Sequence, residues 1–357
     1  MTLKIKKITR KAAVYDITVE DNENFFANEI LVHNCTEVMQ NTVPMKSLDD
    51  TDARISLCTL SAVNYGIIKT KEDLIKYVKL AGYALDELIS YQDYIIEAAR
   101  EGTIDFRSIG VGITNFAYWM AKQGFKYQDA TPECLDTVDQ WMEAHAYGAI
   151  EGSIERAEKW GPCRRVEDTL YKQGMMPQDV RKKAVDELTP FVERLDWNKN
   201  RERAKISGVR NNPNMCQMPT ESSSQTSNST NGMEPARGII SSKKSKDGIL
   251  TQVVPESRKL KNAYDLLWDQ KSPEGYLKIA AVIQKWMDSG MSVNTSYNPA
   301  FYPDGKLPMS VMVKDVVNHY RWGGKSLYYL NTNDNSGEKD NEAIFILEDA
   351  EKDCCSV

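Results

Sequence analysis

The stretch that most constrains the fold is a helix spelled out from start to stop. Thr131 offers a capping hydroxyl, Pro132 suits the first helical position, and Gly161-Pro162 ends the run. Between them Leu135, Val138, Met142, His145 and Ala149 recur on one face, so this helix over 132–160 needs an apolar surface to lie against. Strand patterns supply one. Residues 54–62, RISLCTLSA, read as a buried strand running into a tight segment at Asn64-Tyr65-Gly66. Thr70 caps a helix predicted over 71–100, with Leu74, Val78, Ala81, Leu85 and Leu88 on a helical period and Gly102 at its end. A further helix is expected from Thr189-Pro190 toward Gly208, then a loop rich in Asn, Ser, Thr and Pro from 211 to 238. A strand near 248–254, helices near 274–289 and 309–322 stopped by Gly290 and Gly323-Gly324, and a strand over 326–330 follow. Such alternation predicts an α/β architecture with parallel strands, part of a barrel, with no internal repeat.

Composition narrows the setting. At 357 residues there is chain enough for one large or two ordinary domains. No apolar run approaches the roughly 20 residues that span a bilayer, and no signal-peptide pattern opens the chain, so a cytoplasmic protein is expected. Seven cysteines without the spacing of a disulfide framework agree with a reducing compartment. A sequence pI of about 5.4 argues against a protein that coats nucleic acid. Residues 334–357 hold eight acids and two lysines, a composition expected to remain a mobile tail. At the other end Lys4, Lys6, Lys7, Arg10 and Lys11 precede any acid, which fits either capture of an acidic partner fragment or a solvated edge strand.

Two kinds of chemistry meet at Ile30-Leu31-Val32-His33-Asn34-Cys35-Thr36-Glu37. The Asn34 side chain can attack its own carbonyl and cut the chain before Cys35, with His33 polarising that carbonyl or protonating the leaving amine. The Cys35 thiol can accept an acyl group first. Residues 14–34, VYDITVEDNENFFANEILVHN, resemble the C-terminal splicing region of inteins, with Asp16, His33 and Asn34 matching and Glu23 standing where a second His is usual. The resemblance implies a short all-β, Hint-type fragment over 1–34, the C-terminal half of a split intein. Its partner would be an N-terminal fragment on a separate chain. Residues 1–34 alternate apolar and polar positions and are too few to form a core of their own.

Downstream, LCTLSAVNYG, YALDELISYQDY, RSIGVGITNFAYWMAKQG, PTESSSQTSNSTNGMEPARG, SKDGILTQVVP and KSLYYLNT occur in one order. Together they resemble the C-terminal part of the large (alpha) subunit of class I aerobic ribonucleoside-diphosphate reductases. That resemblance implies the C-terminal half of a ten-stranded α/β barrel over 35–333, followed by a tail over 334–357. It also implies roles. Cys35 would be the thiyl radical site, and Glu37, two residues on and on the same side of an extended segment, the general base. Cys58 would be one member of the reducing dithiol, its partner lying outside this chain. Thr220, Glu221, Ser222 and Ser223 would surround the substrate diphosphate. Tyr328 and Tyr329 would relay the radical, although neighbours on a strand ordinarily face opposite ways. Cys354 and Cys355 would be the tail pair that re-reduces the active site, here adjacent rather than spaced.

The same resemblance implies no cofactor bound in this chain, a radical delivered by a metal-containing small (beta) subunit, and ATP or dNTP effectors on the missing N-terminal half. Expected partners are that small subunit, thioredoxin or glutaredoxin, a ribonucleoside diphosphate, and a second copy of the joined large subunit. Two competing readings are a splicing-inactive chain acting as a non-covalent complement, and a cobalamin-dependent reductase, against which the tyrosine pair speaks. No metal site is expected. His145 falls on a core stripe, His319 near a helix end where a cation suits the dipole, and Cys134, Cys163 and Cys216 read as plain buried thiols.

Overall fold

The computed structural model describes residues 37–245 and 248–333, with short segments at 4–5, 17–18, 24–27 and 30–33. Two compact units divide the chain, Met1–Thr36 and Glu37–Val357. In the first, strand β1 (Lys4–Ile5) pairs antiparallel with β2 (Ile17–Thr18), and β3 (Asn24–Ala27) with β4 (Ile30–His33). The second ladder sets Asn24 opposite His33, as expected of a period-two pattern folded back through a tight turn.

The second unit opens with β5 (Leu60–Asn64), a strand that begins six residues later than the pattern predicted. Helix α1 (Lys71–Tyr91) is capped where expected, Thr70 accepting from the Asp73 N–H at 3.1 Å. The single helix predicted over 71–100 is in fact two. Gln92 is extended, and α2 (Glu97–Phe106) starts afresh beyond it. Tyr91 is 88% exposed and Ile95 fully so, which leaves no buried stripe to carry one helix across the break. Strand β6 (Gly110–Thr114) follows and pairs in parallel with β5, from Leu60 opposite Gly110 to Asn64 opposite Thr114. Helix α3 (Phe116–Gln123) leads to α4 (Pro132–Trp160), with Thr131 as its cap.

Helix α4 is the axis of this unit. Eighteen of its 29 residues are buried, so it is enclosed on most of its circumference rather than on the single face predicted. Leu135, Val138, Met142, Ile150 and Ile154 are all under 5% exposed, each worth about 1.5–3 kcal/mol of burial. Glu143 on this helix also explains why the helix expected from Thr189 starts late. Its carboxylate accepts from the Arg194 and Leu195 N–H groups and from the Trp197 indole, holding the chain extended until α5 (Trp197–Ser207), capped by Asp196. Tertiary hydrogen bonding has overridden the Thr-Pro start signal.

The expected loop over 211–238 contains structure. Residues 213–218 run extended beside β6, and α6 (Glu221–Thr226) is a short helix. A hairpin of β7 (Ile240–Ser245) and β8 (Gly248–Val253), a turn α7 (Ser257–Leu260) and α8 (Glu274–Trp286) come next. Strand β9 (Thr295–Tyr297), α9 (Met309–Arg321) and β10 (Leu330–Thr332) complete it, β9 and β10 being parallel. The final strand thus lies mostly beyond the 326–330 expected.

Five extended segments form an arc in chain order: β5, β6, 213–218, 289–297 and 328–332. Ile109 and Val111 donate to Pro213 and Asn214, Gln217 bridges Met291 in parallel, and Tyr328 donates to Val293. Among the described residues the arc does not close into a barrel; each named sheet has two strands.

Candidate active site

Close approach of backbones shapes the middle of the arc. A Cβ on Gly112 would lie 2.7 Å from the Cys216 carbonyl oxygen, so only glycine lets 213–218 come this near to β6. The Gln217 side chain then substitutes for a peptide group. Its Oε1 accepts from Ile113 N–H at 2.8 Å, and its Nε2 donates to the Ile113 and Met218 carbonyls at 2.9 and 2.8 Å. On the next segment Asp288 accepts from the N–H groups of Asn214 and Met215 and from the Tyr171 hydroxyl, which fixes 213–218 against 289–297.

Glu37 is buried and bound to that same segment. Its carbonyl accepts from Gly290 N–H at 2.7 Å and Ser289 Oγ at 2.8 Å, while its carboxylate accepts from Ser292 Oγ at 2.5 Å. A short charge-assisted bond of this kind fixes the orientation of the carboxylate. From Glu37 the chain passes to the other end of the arc, where Gln40 donates to the Leu57 carbonyl at 2.8 Å. Cys58 follows Leu57 directly and is exposed, two residues ahead of β5. The buried-strand placement expected for Cys58 is therefore corrected: its thiol faces out of the core. Buried Cys134, Cys163 and Cys216 bear out the reading of plain thiols by position, and burial pushes the first two up to about 12.

At the ends of β5 and β6 lies a cleft of about 530 Å³, lined in part by Asn64, Thr114, Thr220 and Ser223. That size suits a small ligand, and the cleft runs along β5 from Leu60 to its carboxyl end at Asn64, beside the end of β6, where α/β sheets bind them. The four loop residues singled out in the sequence have different fates. Thr220 is buried, its hydroxyl engaged with Thr114 Oγ1 at 2.9 Å and Gly232 N–H at 2.7 Å, so it anchors the loop. Ser223 lines the cleft at the first turn of α6, and Ser222 is exposed beside it. Glu221 turns the other way, receiving Asn231 Nδ2 at 3.2 Å and lying 3.7 Å from Arg237 in a separate cavity. A carboxylate removed from the cleft leaves it more receptive to an anion.

The Tyr328 and Tyr329 rings lie against each other, tilted by 43°, despite being consecutive. Their ring centroids are 3.9 Å apart and Tyr329 donates to the Tyr328 hydroxyl at 3.1 Å. Three hydrogen bonds to 293–295 account for this, since both residues precede the regular ladder of β10: Tyr328 N–H to the Val293 carbonyl, Tyr329 N–H to Asn294 Oδ1, and Thr295 N–H to the Tyr329 carbonyl. The dyad is thus held one to three residues beyond Ser292, the partner of Glu37.

His145 is a core residue as expected. Its Nε2 contacts the Val111 carbonyl at 3.1 Å and its Nδ1 the Tyr65 hydroxyl at 3.1 Å, and burial lowers it to about 4. His319 is structural as expected, its ring on the Ser326 carbonyl at 3.2 Å, and burial lowers its pKa, so the helix end does not favour its cation. Among the described residues no cluster of three metal-ligating side chains occurs. Asp16, Asn34, Cys35, Cys354 and Cys355 lie outside the described residues, and His33 is described only as the end of β4. Ser292, Asn231 and Gln217 were missed by sequence reading. Each acts on a residue ten to 255 positions away, or through a side chain mimicking a peptide, and no local spacing signals either.

Residues 12–330 match the family described as ribonucleotide reductase, barrel domain, and the chain belongs to that family. More narrowly, it is the C-terminal part of a class I ribonucleoside-diphosphate reductase alpha subunit. It is 43% identical over 307 residues to the alpha subunit of Buchnera aphidicola subsp. Acyrthosiphon pisum, covering 86% of this chain and 40% of the relative. The Haemophilus influenzae alpha subunit is 41% identical over 300 residues, 84% and 39% of the two chains. That of Escherichia coli (subunit 1 alpha) is 40% identical over 271 residues, 75% and 35%. The chain therefore spans about 40% of the length of the Buchnera relative. The family match begins at residue 12, so it does not by itself set residues 12–34 apart from the reductase. Among the described residues no helix is long and apolar enough to cross a membrane.

Proposed function

We propose that residues 35–357 form the C-terminal half of a large subunit that reduces ribonucleoside diphosphates to deoxyribonucleoside diphosphates for DNA synthesis. Residues 1–34 are the C-terminal fragment of a split intein that joins them to a separately made N-terminal half. The observation carrying the catalytic reading is the bond from Ser292 to the Glu37 carboxylate, with the touching Tyr328-Tyr329 rings hydrogen-bonded to the residues just beyond Ser292. The splicing reading rests on the motif ending in His33-Asn34-Cys35 and on the division of the chain after Thr36.

In this reaction a thiyl on Cys35, generated through Tyr328 and Tyr329 from a metal-containing small subunit, removes the 3′-hydrogen of the ribose. Glu37 takes the 3′-hydroxyl proton, and the protonated 2′-hydroxyl leaves as water. Cys58 and a second thiol on the N-terminal half supply two electrons and two protons and become a disulfide, and Cys35 returns its hydrogen to C3′. Its exposed position suits Cys58 to exchange with the Cys354-Cys355 tail, itself reduced by thioredoxin or glutaredoxin. The cleft beside Ser223 holds the diphosphate through first-turn N–H groups of α6. Effector nucleotides bind the N-terminal half, and the joined subunit works as a dimer in the cytoplasm.

Mixing this chain with its N-terminal partner fragment tests the first step. Mass spectrometry is expected to show release of residues 1–34 and a joined product, with Asn34→Ala abolishing release while association persists. Association without release in the unaltered chain would instead make it a non-covalent complement. The joined product is expected to reduce a ribonucleoside diphosphate and to lose that activity on Cys35→Ser, whereas the unjoined chain has none.

A further inference from the structure

Away from the strand ends, a groove of about 390 Å³ runs between α1 and α4, lined by Lys79 and Tyr83 on one helix and Arg156 and Trp160 on the other. Its floor is charged. Arg107, Arg156 and Arg210 converge on one carboxylate, Asp86: Arg107 meets it at 2.7 Å, Arg210 at 3.3 Å, and Arg156 only through Asn211, whose Nδ2 donates to Asp86 at 2.9 Å. Arg107 also satisfies itself on the Asp86 carbonyl and Ser90, and Arg210 on the carbonyls of Trp160 and Gly161. Arg156, 5% exposed, has one neutral acceptor, Asn211 Oδ1, for its Nε and Nη2. Burial pulls its guanidinium down to about 10.

The remaining nitrogen of Arg156, Nη1, makes no hydrogen bond among the described residues, and Arg156 lines the groove. A Cβ on Gly82 or Gly152 would sit 3.2–3.3 Å from Nη1, so two glycines clear the space it occupies. Buried cations in excess of their carboxylates call for an anion. The acid on the rim, Glu155, is held by Lys79 at 2.8 Å and about half exposed, so it offsets the Arg156 charge only in part. Above the guanidinium, Tyr83 and Trp160 form an aromatic wall, centroids 5.7 Å apart and rings about two-fifths exposed, with Lys159 over Trp160 at 4.5 Å.

We infer that this groove binds an oxyanion, phosphate or carboxylate, carried on an aromatic ring, with Arg156 Nη1 as the donor at its floor and Tyr83 and Trp160 as the stacking wall. The inference does not depend on splicing or on reductase turnover. Calorimetric titration of the full 357-residue chain with phenyl phosphate and with benzoate tests it, each against its ringless counterpart, inorganic phosphate or acetate. At least one aromatic anion is expected to bind saturably, one to one, roughly fivefold tighter than its counterpart. Which of the two does so separates a phosphate-bearing from a carboxylate-bearing ligand. Trp160→Leu is expected to erase the advantage of the ring, and Arg156→Gln to abolish binding. Should Arg156→Gln fail to fold, judged by its melting curve, the exposed Trp160→Leu change decides alone. No saturable binding of either aromatic anion, or binding that Trp160→Leu leaves unchanged, overturns the assignment.

Discussion

A buried carboxylate is only as well placed as the donor that faces it. Ser292→Ala removes the hydroxyl bound to Glu37, and leaving that buried acceptor short costs about 1–3 kcal/mol, read as a lower urea midpoint. In the joined enzyme the same change is expected to lower turnover, since the carboxylate loses the donor that orients it. His145 gives a second expectation. Its folded pKa of about 4 lies below the ordinary imidazole value of 6.5, so between those values the unfolded chain holds the proton that the core refuses. Stability present above pH 6.5 is lost as pH falls toward 4, by roughly 3 kcal/mol for a shift of this size, and the depressed pKa of His319 acts in the same direction. Thermal melts from pH 7 to pH 4.5 check this; a His145→Gln chain is expected to show a shallower fall. At this scale the sequence motif singled out Glu37, Ser223 and the tyrosines, which the structure places on a buried hydrogen bond, at a cleft and ring against ring. It could not show that Thr220 is spent on Thr114 and Gly232, or that Glu221 faces away, because both depend on contacts with residues remote in the chain.

Elements were legible where their signals are local. The Thr70 and Thr131 caps, the Pro132 start and the Gly161 stop all stand as written. They failed where a distant group takes the backbone, as Glu143 does at 194–195, and where an extended segment lacks regular alternation, as at 213–218. The parallel order of the arc was foreseen from strand and helix alternation; the means by which 213–218 joins it was not. Gly112→Ala tests that joint. Its new methyl meets the Cys216 carbonyl, and backbone on both sides has little freedom to retreat, so a loss of about 2–4 kcal/mol is expected in denaturant melts. A Thr131→Ala chain, losing only a cap bond of 3.3 Å, is expected to fall by about 1 kcal/mol.

For the molecule as a whole, the arc of five segments is the feature with the widest reach. Its outermost ladders, β5 with β6 and β9 with β10, each engage a neighbour on one flank among the described residues. A flank of unused peptide groups is a template, and the nearest thing able to fit it is another molecule of the same chain. Under the two-part reading proposed above, waiting for a complement would be a race against self-association, which grows with concentration. Light scattering from the lone chain is expected to rise with concentration and to be suppressed when the N-terminal half is supplied at the outset rather than late. If the chain is completed by a separately made half, as proposed above, the timing of synthesis then matters as much as the chemistry of the join.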